Sequence, residues 1–403
     1  MTTPRREALP PSGTAPERPP SVLPVPRLED LGPLDGRSVL VRVDFNVPLA
    51  GGGPGAVAEI ADDLRIRAAL PTLRWLQKQG AEVSACTHLG RPQGSPDPRF
   101  SVEPVRRRLT ELAPGVRLLE NLRFDAGETA ADPTFVDRLV EGHDAYVNDA
   151  FGASHRAHAS IVGPPQRLPS AAGRLLAREV EVLGGLRESP RRPFVAVLGG
   201  AKVSDKLGVI DALREMVDSL VIGGAMCFTF LKAQGHSVGA SLCEDSMVER
   251  CREFLEGSTP IHLPDDLTAL GPGGVPGDPG AGGDVRQIGA NVPDGWMGVD
   301  IGPGSAAAFG DVIHEAGTVL WNGPMGVFED PRFGGGTGAV AAAMAETRAF
   351  AVVGGGDSAA AARRFGVDGD MDHVSTGGGA SLELIEKGDL PGLAALRGAS
   401  NAT

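Results

Sequence analysis

Short runs of β-branched and other apolar residues alternate along the chain with Ala- and Leu-rich stretches. The strand-like runs include 38–44, 144–148, 193–198, 218–222, 317–321 and 350–353. The helical stretches include 64–79, 101–112, 204–216, 245–255, 336–347 and 358–364. Strands that alternate with helices are typical of parallel sheets with crossover helices. The pattern therefore predicts an α/β protein.

Several of the predicted strands end directly in glycine, at 199–200, 223–224 and 354–356. In open α/β sheets, ligands bind at the carboxyl ends of the strands, and glycine there lets the backbone approach a phosphate group. We therefore expect a phosphate-bearing ligand in the second half of the chain. A further Gly-rich stretch, 271–283, is expected to be a mobile surface loop.

Composition adds two expectations. Residues 1–26 hold eight prolines without a period, which predicts a disordered extension. The four cysteines show no CxxC spacing, no apolar run reaches the length of a membrane span, and no signal peptide is evident. A cytoplasmic protein is expected.

Charge is distributed unevenly. The formal net charge is −13, yet residues 1–175 carry 21 basic and 21 acidic residues, so the second half carries the whole excess. An acidic chain is a poor binder of nucleic acid or of anionic membranes, because both need a positive field. The split indicates two domains with different electrostatic roles.

In the first half, polar residues gather at predicted strand ends. Asp44 and Asn46 follow one strand and His88 another, although such residues also serve as ordinary turn formers. Five loops or helix starts each offer an arginine, at positions 42, 65, 91, 123 and 156. Guanidinium groups bind carboxylate and phosphate in bidentate fashion, so the set suits a small substrate with several negative charges. His155 and His158 lack a third zinc ligand of matching pattern nearby.

In the second half, Lys202 and Lys206 follow a glycine pair, four residues apart at a predicted helix start. Lysine side chains with helix N-terminal amides form a phosphate site, but the spacing is not that of a P-loop. Asp357 follows the glycines at 354–356 and is either a helix N-cap or a Mg²⁺ ligand beside phosphates. Another glycine turn, at 375–381, opens a further predicted helix.

Taken together, these blocks resemble the signature motifs of the phosphoglycerate kinase family. They occur in the family's order and span residues 28–395. The blocks are Arg42–Pro48, His88–Arg91, Glu120–Arg123, Asn148–Phe151, Gly199–Lys202, Trp321–Glu329 and Gly354–Asp357.

The resemblance implies two doubly wound parallel-sheet domains joined by a hinge. The expected divisions are a substrate domain of residues 27–172 completed by the tail 390–403, and a nucleotide domain of residues 173–389. Carried over by motif, the residues that bind 3-phosphoglycerate are Asp44, Asn46, Arg65, His88, Leu89, Gly90, Arg91, Arg123 and Arg156. The matching nucleotide residues are Gly200, Lys202, Lys206, Gly224, Gly298, Asn322, Pro324, Glu329, Gly355, Gly356, Asp357 and Ser358. The family further implies Mg²⁺ handled by Asp357, ATP or ADP as co-substrate and a monomer that acts on small molecules only.

The implied reaction transfers a phosphoryl group between ATP and the carboxylate of 3-phosphoglycerate. That carboxylate is ionised at pH 7, so positioning and charge neutralisation are needed rather than a general base. We assign Arg65 and Lys202 to the transferring group and Lys206 to the phosphates. The backbone amides of Gly356 and Gly379 are expected to donate further hydrogen bonds.

One departure from the family pattern stands out. The stretch between Leu109 and Leu118 is short, and the first domain is expected to lack one strand–helix unit. Two alternative functions remain open at this stage. One is a related kinase that acts on another small carboxylate in a specialised pathway, and the other is a regulatory protein that binds nucleotide without catalysis.

Overall fold

The computed structural model describes residues 24–51 and 59–400. Most of the predicted N-terminal extension therefore lies outside the described residues. The prediction is wrong for residues 24–26, because the carbonyl of Pro26 accepts a hydrogen bond from the backbone N–H of Ala172, at 2.8 Å. The folded chain begins at least three residues earlier than composition indicates.

The elements of the described chain alternate largely as the sequence predicts. The strands are β1 (Ser38–Val43), β2 (Leu49–Ala50), β3 (Glu59–Ile60), β4 (Glu82–Cys86), β5 (Arg117–Leu118), β6 (Ala145–Asp149), β7 (Ser170–Ala172), β8 (Phe194–Leu198), β9 (Ser219–Ile222), β10 (Ile261–His262), β11 (Asp266–Leu270), β12 (Val285–Gly289), β13 (Met297–Ile301), β14 (Thr318–Asn322), β15 (Phe350–Val353) and β16 (His373–Val374). The α-helices are α1 (Leu64–Lys78), α2 (Glu103–Leu112), α3 (Gly127–Ala130), α4 (Pro133–Val140), α5 (Ala159–Val162), α6 (Arg174–Glu188), α7 (Leu207–Arg214), α8 (Cys227–Ala233), α9 (Val248–Leu255), α10 (Pro303–Glu315), α11 (Gly335–Glu346), α12 (Gly356–Arg364), α13 (Gly379–Lys387) and α14 (Pro391–Ser400). Within the described ranges, no helix is long and apolar enough to cross a membrane.

Two parallel sheets form the centres of two domains. In the described chain the first sheet has five strands in the order β5-β4-β1-β6-β7, and the second has six in the order β10-β9-β8-β14-β15-β16. The β1 residues Val39, Leu40, Val41 and Val43 are fully buried, which explains why this strand reads as a continuous apolar run. The predicted α/β class with two parallel-sheet domains is confirmed.

A small antiparallel sheet was not predicted. Its strands run in the order β12-β11-β13, and the Gly-rich stretch 271–283 connects β11 to β12. Polar contacts fasten this connection to the second domain. Asp330 accepts a hydrogen bond from the backbone N–H of Gly277 at 3.1 Å, and Arg332 donates to the carbonyl of Val275 at 3.2 Å.

Helix α6 joins the two domains. At its start, Asp149 Oδ1 accepts hydrogen bonds from the N–H groups of Leu175 and Leu176, at 2.9 and 3.2 Å. One turn further on, the buried Glu179 accepts from Thr376 N–H at 2.8 Å and contacts His373 Nε2 at 2.8 Å. The helix is therefore fixed to the first sheet at one end and to the second domain in its middle.

The first sheet ends at a short edge. Helix α2 finishes at Leu112 and β5 begins at Arg117, so four residues connect them. This confirms that no additional strand and helix lie between these two elements. At the other end of the chain, α14 packs against α5 and β7 of the first domain, and Gly392 N–H donates to the carbonyl of Ser154 at 2.9 Å.

Candidate active site

Polar side chains of the first domain converge at the carboxyl ends of β1, β4 and β6. We call this group the arginine cluster, and its members are Asp44, Asn46, Arg65, His88, Arg91, Arg123 and Arg156. The electrostatic influence of its members on one another shows that they are close: His88 responds to Arg65, Arg123 and Asp44, and Arg123 responds to Arg91 and Arg156. The predicted substrate residues are thus brought together.

Arg65 lies in the first turn of α1 and pairs with Asp44. Its Nη1 lies 2.6 Å from Asp44 Oδ2, and the Arg65 side chain keeps 35% of its surface exposed. Burial raises the pKa of Asp44, but Arg65, Arg42 and the backbone N–H of Asn46 contribute in the opposite direction, so the pKa is lowered overall. Asp44 is therefore ionised at neutral pH and holds Arg65 beside the cluster.

Two asparagines fix the loop that carries His88, Leu89, Gly90 and Arg91. Asn46 Oδ1 accepts a hydrogen bond from Gly90 N–H at 2.9 Å. Asn121, which sequence reasoning missed, donates to the carbonyls of Leu89 and Phe100 at 2.7 and 2.9 Å and accepts from Leu89 N–H at 3.2 Å. The Glu-Asn-Leu-Arg block contained Asn121, but only the folded chain shows that it binds a loop.

Arg123 has an unused hydrogen-bond donor that an anionic ligand could satisfy. Its Nη1 donates to the carbonyl of Gly90 at 2.7 Å, while its buried Nε has no hydrogen-bond partner in the described chain. Burial lowers the pKa of Arg123, and Arg156 and Arg42 lower it further by repulsion. Because unpaired buried donors and clustered cations are costly, an anionic ligand would relieve both.

Arg42 does not belong among the substrate ligands. It is fully buried, and its Nε donates to Ser160 Oγ at 2.8 Å while its Nη2 lies 3.9 Å from the buried Glu128. The sequence pattern grouped Arg42 with four other arginines, whereas the substrate residues carried over from the family leave it out, and its burial agrees with that omission. Strand β1 turns Arg42 inward, whereas Arg91 and Arg156 are exposed.

In the second domain, four loops meet at the carboxyl ends of β8, β9, β14 and β15. We call them the glycine cluster, and they comprise residues 199–200, 223–224, 322–324 and 354–356. Gly224 has a φ of +65°, and a Cβ there would lie 2.5 Å from the backbone N of Gly200. Gly323 has a φ of +101°, and a Cβ there would lie 2.3 Å from the carbonyl oxygen of Gly199. The loops pack backbone against backbone, so side chains are excluded.

Side chains of three predicted nucleotide residues brace this cluster. Lys206 Nζ donates to Asn322, through the carbonyl at 3.1 Å and through Oδ1. Asn322 Nδ2 donates to the carbonyl of Gly354 at 2.7 Å, and Ser358 Oγ accepts from Gly323 N–H at 2.6 Å. Burial lowers the pKa of Lys206 to about 8. Asn322 and Ser358 thus hold the loops that the sequence indicated as ligands.

The remaining predicted nucleotide residues lie around this cluster. Gly298 is buried on β13, where its N–H donates to Ser241 Oγ at 2.9 Å and a Cβ would meet the Phe228 ring. Glu329 is exposed on the loop after β14, which Val327 N–H ties to the carbonyl of Val299 on β13, at 3.0 Å. Pro324 accepts from Gly200 N–H at 3.2 Å. These residues extend the cluster toward β13.

Open space at the starts of α12 and α13 leaves room for a phosphate. A Cβ added at Gly356 or Gly379 would meet nothing within 4 Å. Asp357 and Lys202 are exposed, and the Asp357 carboxylate makes no hydrogen bond to the described chain, although its charge raises the pKa of Lys206 against the effect of burial. The described residues contain no group of three or more His, Cys, Asp or Glu that could hold a metal by themselves. The Asp357 carboxylate has the hard oxygen that Mg²⁺ prefers, so it fits that ion as one ligand beside phosphate oxygens.

The turn that precedes α13 brings the second domain against the loop that borders the arginine cluster. A Cβ on Gly377 would lie 2.3 Å from the Phe151 ring of the first domain. A Cβ on Gly152 would lie 2.6 Å from Asp44 and 3.5 Å from the carbonyl oxygen of Thr376. The turn 376–379 of the second domain therefore touches the loop that borders the arginine cluster.

Comparison with known proteins agrees with this arrangement. The family model described as phosphoglycerate kinase matches residues 28–117 and 113–388. The chain is 51% identical over 388 residues to a phosphoglycerate kinase of Rubrobacter xylanophilus, covering 90% of this chain and 96% of the relative. It is 53% identical over 394 residues to a phosphoglycerate kinase of Salinispora arenicola, with the same coverage.

Solved structures agree as well. A phosphoglycerate kinase structure from Coxiella burnetii superposes with a TM-score of 0.83 at 36% identity, covering 93% of this chain and 99% of that one. One from Pyrococcus horikoshii superposes with a TM-score of 0.80 at 31% identity, covering 94% of this chain and 100% of that one. With motifs, fold and both clusters in agreement, the chain belongs to the phosphoglycerate kinase family.

Proposed function

We propose that the arginine cluster binds 3-phosphoglycerate and the glycine cluster binds ATP or ADP, and that the phosphoryl group passes reversibly between them. Membership of the family makes the chain a kinase of glycolysis. The observation that supports this division is the contact between the two domains at turn 376–379, where a Cβ on Gly152 would lie 2.6 Å from Asp44 Oδ2 and 3.5 Å from the carbonyl oxygen of Thr376. Two anionic ligands held on either side would face each other there.

The domain boundaries follow the same division. We propose a substrate domain of residues 27–172 with the tail 390–403, and a nucleotide domain of residues 173–389. The packing of α14 against α5 and β7 supports assigning the tail to the first domain. We also propose a monomer that acts in the cytoplasm on small molecules, with no nucleic-acid or membrane partner, in keeping with the net charge of −13.

Substrate binding relies on groups that keep their charge. Arg65, Arg91, Arg123 and Arg156 supply guanidinium forks for the phosphate and carboxylate of 3-phosphoglycerate. Asn46 and the 88–91 loop supply neutral donors beside them. Arg123 Nε, buried and without a described partner, would gain an acceptor when the substrate binds. The cluster thus favours a small molecule with two anionic ends.

The nucleotide phosphates would lie on the backbone N–H groups of the glycine cluster and on Lys202 and Lys206. Asp357 would hold Mg²⁺, which neutralises phosphate charge when bound. Glu329 and the β13 residue Gly298 would border the nucleoside. The open space at Gly356 and Gly379 leaves their N–H groups accessible to the transferring phosphoryl group.

The chemistry then requires alignment more than proton transfer. The acceptor carboxylate is already ionised near neutral pH, so its oxygen attacks without a base. Arg65 and Lys202 neutralise the charge of the transferring group from opposite domains. Closure of the two domains brings these cations together and excludes water, which would otherwise hydrolyse the acyl phosphate.

Steady-state kinetics test the proposal. Purified protein is assayed with Mg-ATP and 3-phosphoglycerate, coupled to reduction of the acyl phosphate, and in parallel with glycerate and 2-phosphoglycerate at the same concentrations. We expect turnover with 3-phosphoglycerate and at least tenfold lower kcat/KM with the analogues, because each analogue misplaces or lacks one anionic end. Turnover with an analogue alone would instead favour the related kinase that acts on another carboxylate.

A further inference from the structure

We propose that Arg42 is a positioning residue that fixes the tautomer of His88. In this assignment His88 presents its Nε2–H group to the anionic substrate, and Glu128 and Ser160 hold Arg42 in place. The identity of the substrate rests on the proposed function, whereas the contact between Arg42 and His88 involves only groups of this chain.

The direction of one hydrogen bond determines the tautomer. Arg42 Nη2 lies 3.2 Å from His88 Nδ1. A guanidinium group can only donate, so His88 Nδ1 must be the acceptor and the ring proton must sit on Nε2. None of the residues that the structure describes forms a hydrogen bond with His88 Nε2. This nitrogen is also not among the fully buried polar atoms, so solvent reaches it. Nε2–H is therefore available to a ligand.

Arg42 cannot turn away from His88 without losing other contacts. Its Nε donates to Ser160 Oγ at 2.8 Å, and its Nη1 donates to the carbonyl of Val43 at 2.5 Å. These three contacts point in three directions from one planar group. The buried guanidinium is consequently held in a single orientation, with Nη2 directed at the imidazole.

Ser160 and Glu128 complete the support. Glu128 is fully buried, and its two carboxylate oxygens accept from Ser160 N–H at 2.9 Å and from Ser160 O–H at 2.7 Å. The serine hydroxyl has one proton, which goes to Glu128, so only its lone pairs remain for Arg42 Nε. Tyr146 O–H fixes the carbonyl of Ser160 at 2.7 Å. The donor and the acceptor of each hydrogen bond in this network are therefore fixed.

The charges around His88 keep it neutral. Burial lowers its pKa to about 3, and Arg42, Arg123 and Arg65 lower it as well, while Asp44 acts in the opposite direction. The imidazole is thus uncharged at physiological pH. A neutral donor whose proton position is fixed can recognise a substrate oxygen without titrating as the pH changes.

Nitrogen-15 NMR of the histidine side chains tests the tautomer directly. A His88→Gln variant identifies the His88 signals among those of the eight histidines. We expect wild-type His88 to show a neutral ring protonated at Nε2 from pH 5 to pH 8. A ring protonated at Nδ1, or a charged ring at pH 6, would overturn the proposal.

The Arg42→Met/Glu128→Gln double variant tests the cause. It removes both buried charges together, which avoids leaving one of them unpaired. We expect mixed tautomers of His88 and a higher pKa, because a neighbouring cation and a fixed donor are lost. Ser160→Ala serves as the milder second variant, and Arg42→Lys, which restores a cationic donor, should partly recover the wild-type tautomer. An unchanged tautomer in a folded double variant would refute the role of Arg42.

Kinetics separate positioning from general damage. In the double variant we expect KM for 3-phosphoglycerate to rise about tenfold or more, with KM for Mg-ATP unchanged, since a substrate hydrogen bond is misdirected. Arg138→Met, which removes an ion-paired arginine from α4 of the same domain, should change neither value. If the wild-type protein proved inactive on 3-phosphoglycerate while the tautomer shifted as expected, the proposed function would fail and the assignment of Arg42 would stand.

Discussion

Replacing Arg65 with alanine separates a role in catalysis from a role in folding. The Arg65 guanidinium pairs with Asp44 at 2.6 Å, and the two side chains keep 35% and 12% of their surface exposed. An ion pair that is partly open to solvent contributes about 1 kcal/mol or less to stability. A loss of this size lowers the melting temperature of a domain by about 2–4 °C.

The expected effect on catalysis is much larger. A guanidinium that neutralises a transferring phosphoryl group accelerates the reaction by about 10³–10⁵-fold. A thousandfold loss corresponds to about 4 kcal/mol of transition-state stabilisation. Removing Arg65 also leaves the Asp44 carboxylate facing the substrate without its partner, so KM for 3-phosphoglycerate should rise, whereas KM for Mg-ATP should stay near its wild-type value.

The assay is steady-state kinetics of Arg65→Ala together with thermal unfolding. Arg67→Ala is the matched control, because Arg67 lies on the same helix, pairs with Asp63 at 2.8 Å and is 52% exposed. It changes the net charge by the same amount and breaks a comparable ion pair. The reasoning is refuted if Arg65→Ala retains kcat within tenfold of wild type, or if Arg67→Ala loses as much activity.

Three further substitutions probe the second domain. Asp357→Asn should raise the Mg²⁺ concentration needed for half-maximal turnover at least about tenfold, and a titration that leaves this concentration unchanged would exclude Asp357 as a ligand. Burial lowers the pKa of Lys206 to about 8, so Lys206 loses its charge as the pH rises from 7 to 9.5 and the affinity of the free enzyme for Mg-ADP should fall. Lys206→Arg should remove this pH dependence. A flat wild-type profile would contradict the role of Lys206 in binding the phosphates. Burial raises the pKa of Asp300 to about 7. Between about pH 4 and pH 7, Asp300 is therefore protonated in the folded protein but ionised in the unfolded chain. Its contribution to stability falls as the pH rises through this window. In Asp300→Asn the loss of stability to urea between pH 5 and pH 7.5 should be smaller than in wild type, and an equal loss would show that Asp300 does not titrate there.

The members of the arginine cluster were predicted from the family resemblance, and for some of them a simple rule sufficed, because strand ends of one parallel sheet meet at one edge. Asp44 and His88 required only this rule. Whether a side chain at such an end faces the ligand or the interior was not predictable. Arg42 shows the difference, because its burial depends on Glu128 and Ser160, which arrive from α3 and α5.

Several elements and contacts escaped prediction, for different physical reasons. Strands β10 and β16 have two residues each, which is too short for an apolar pattern. In the β11-β12-β13 sheet, β12 is mostly exposed and carries little apolar signal. Asn121 was missed because an asparagine that binds backbone groups of a distant loop leaves no periodic trace in the sequence.

The two attachments of α6 determine where the molecule can bend. Its hydrogen bonds to Asp149 begin at Leu175, and its hydrogen bonds to the second domain begin at Glu179, four residues later, and continue to Arg187, which donates to the carbonyl of Ile385. At 1.5 Å per residue the two attachments are about 6 Å apart along the helix axis. We therefore expect a rotation between the domains to pivot about this single helical turn. A small angular change there would then displace the residues proposed to bind the two substrates by a much larger distance.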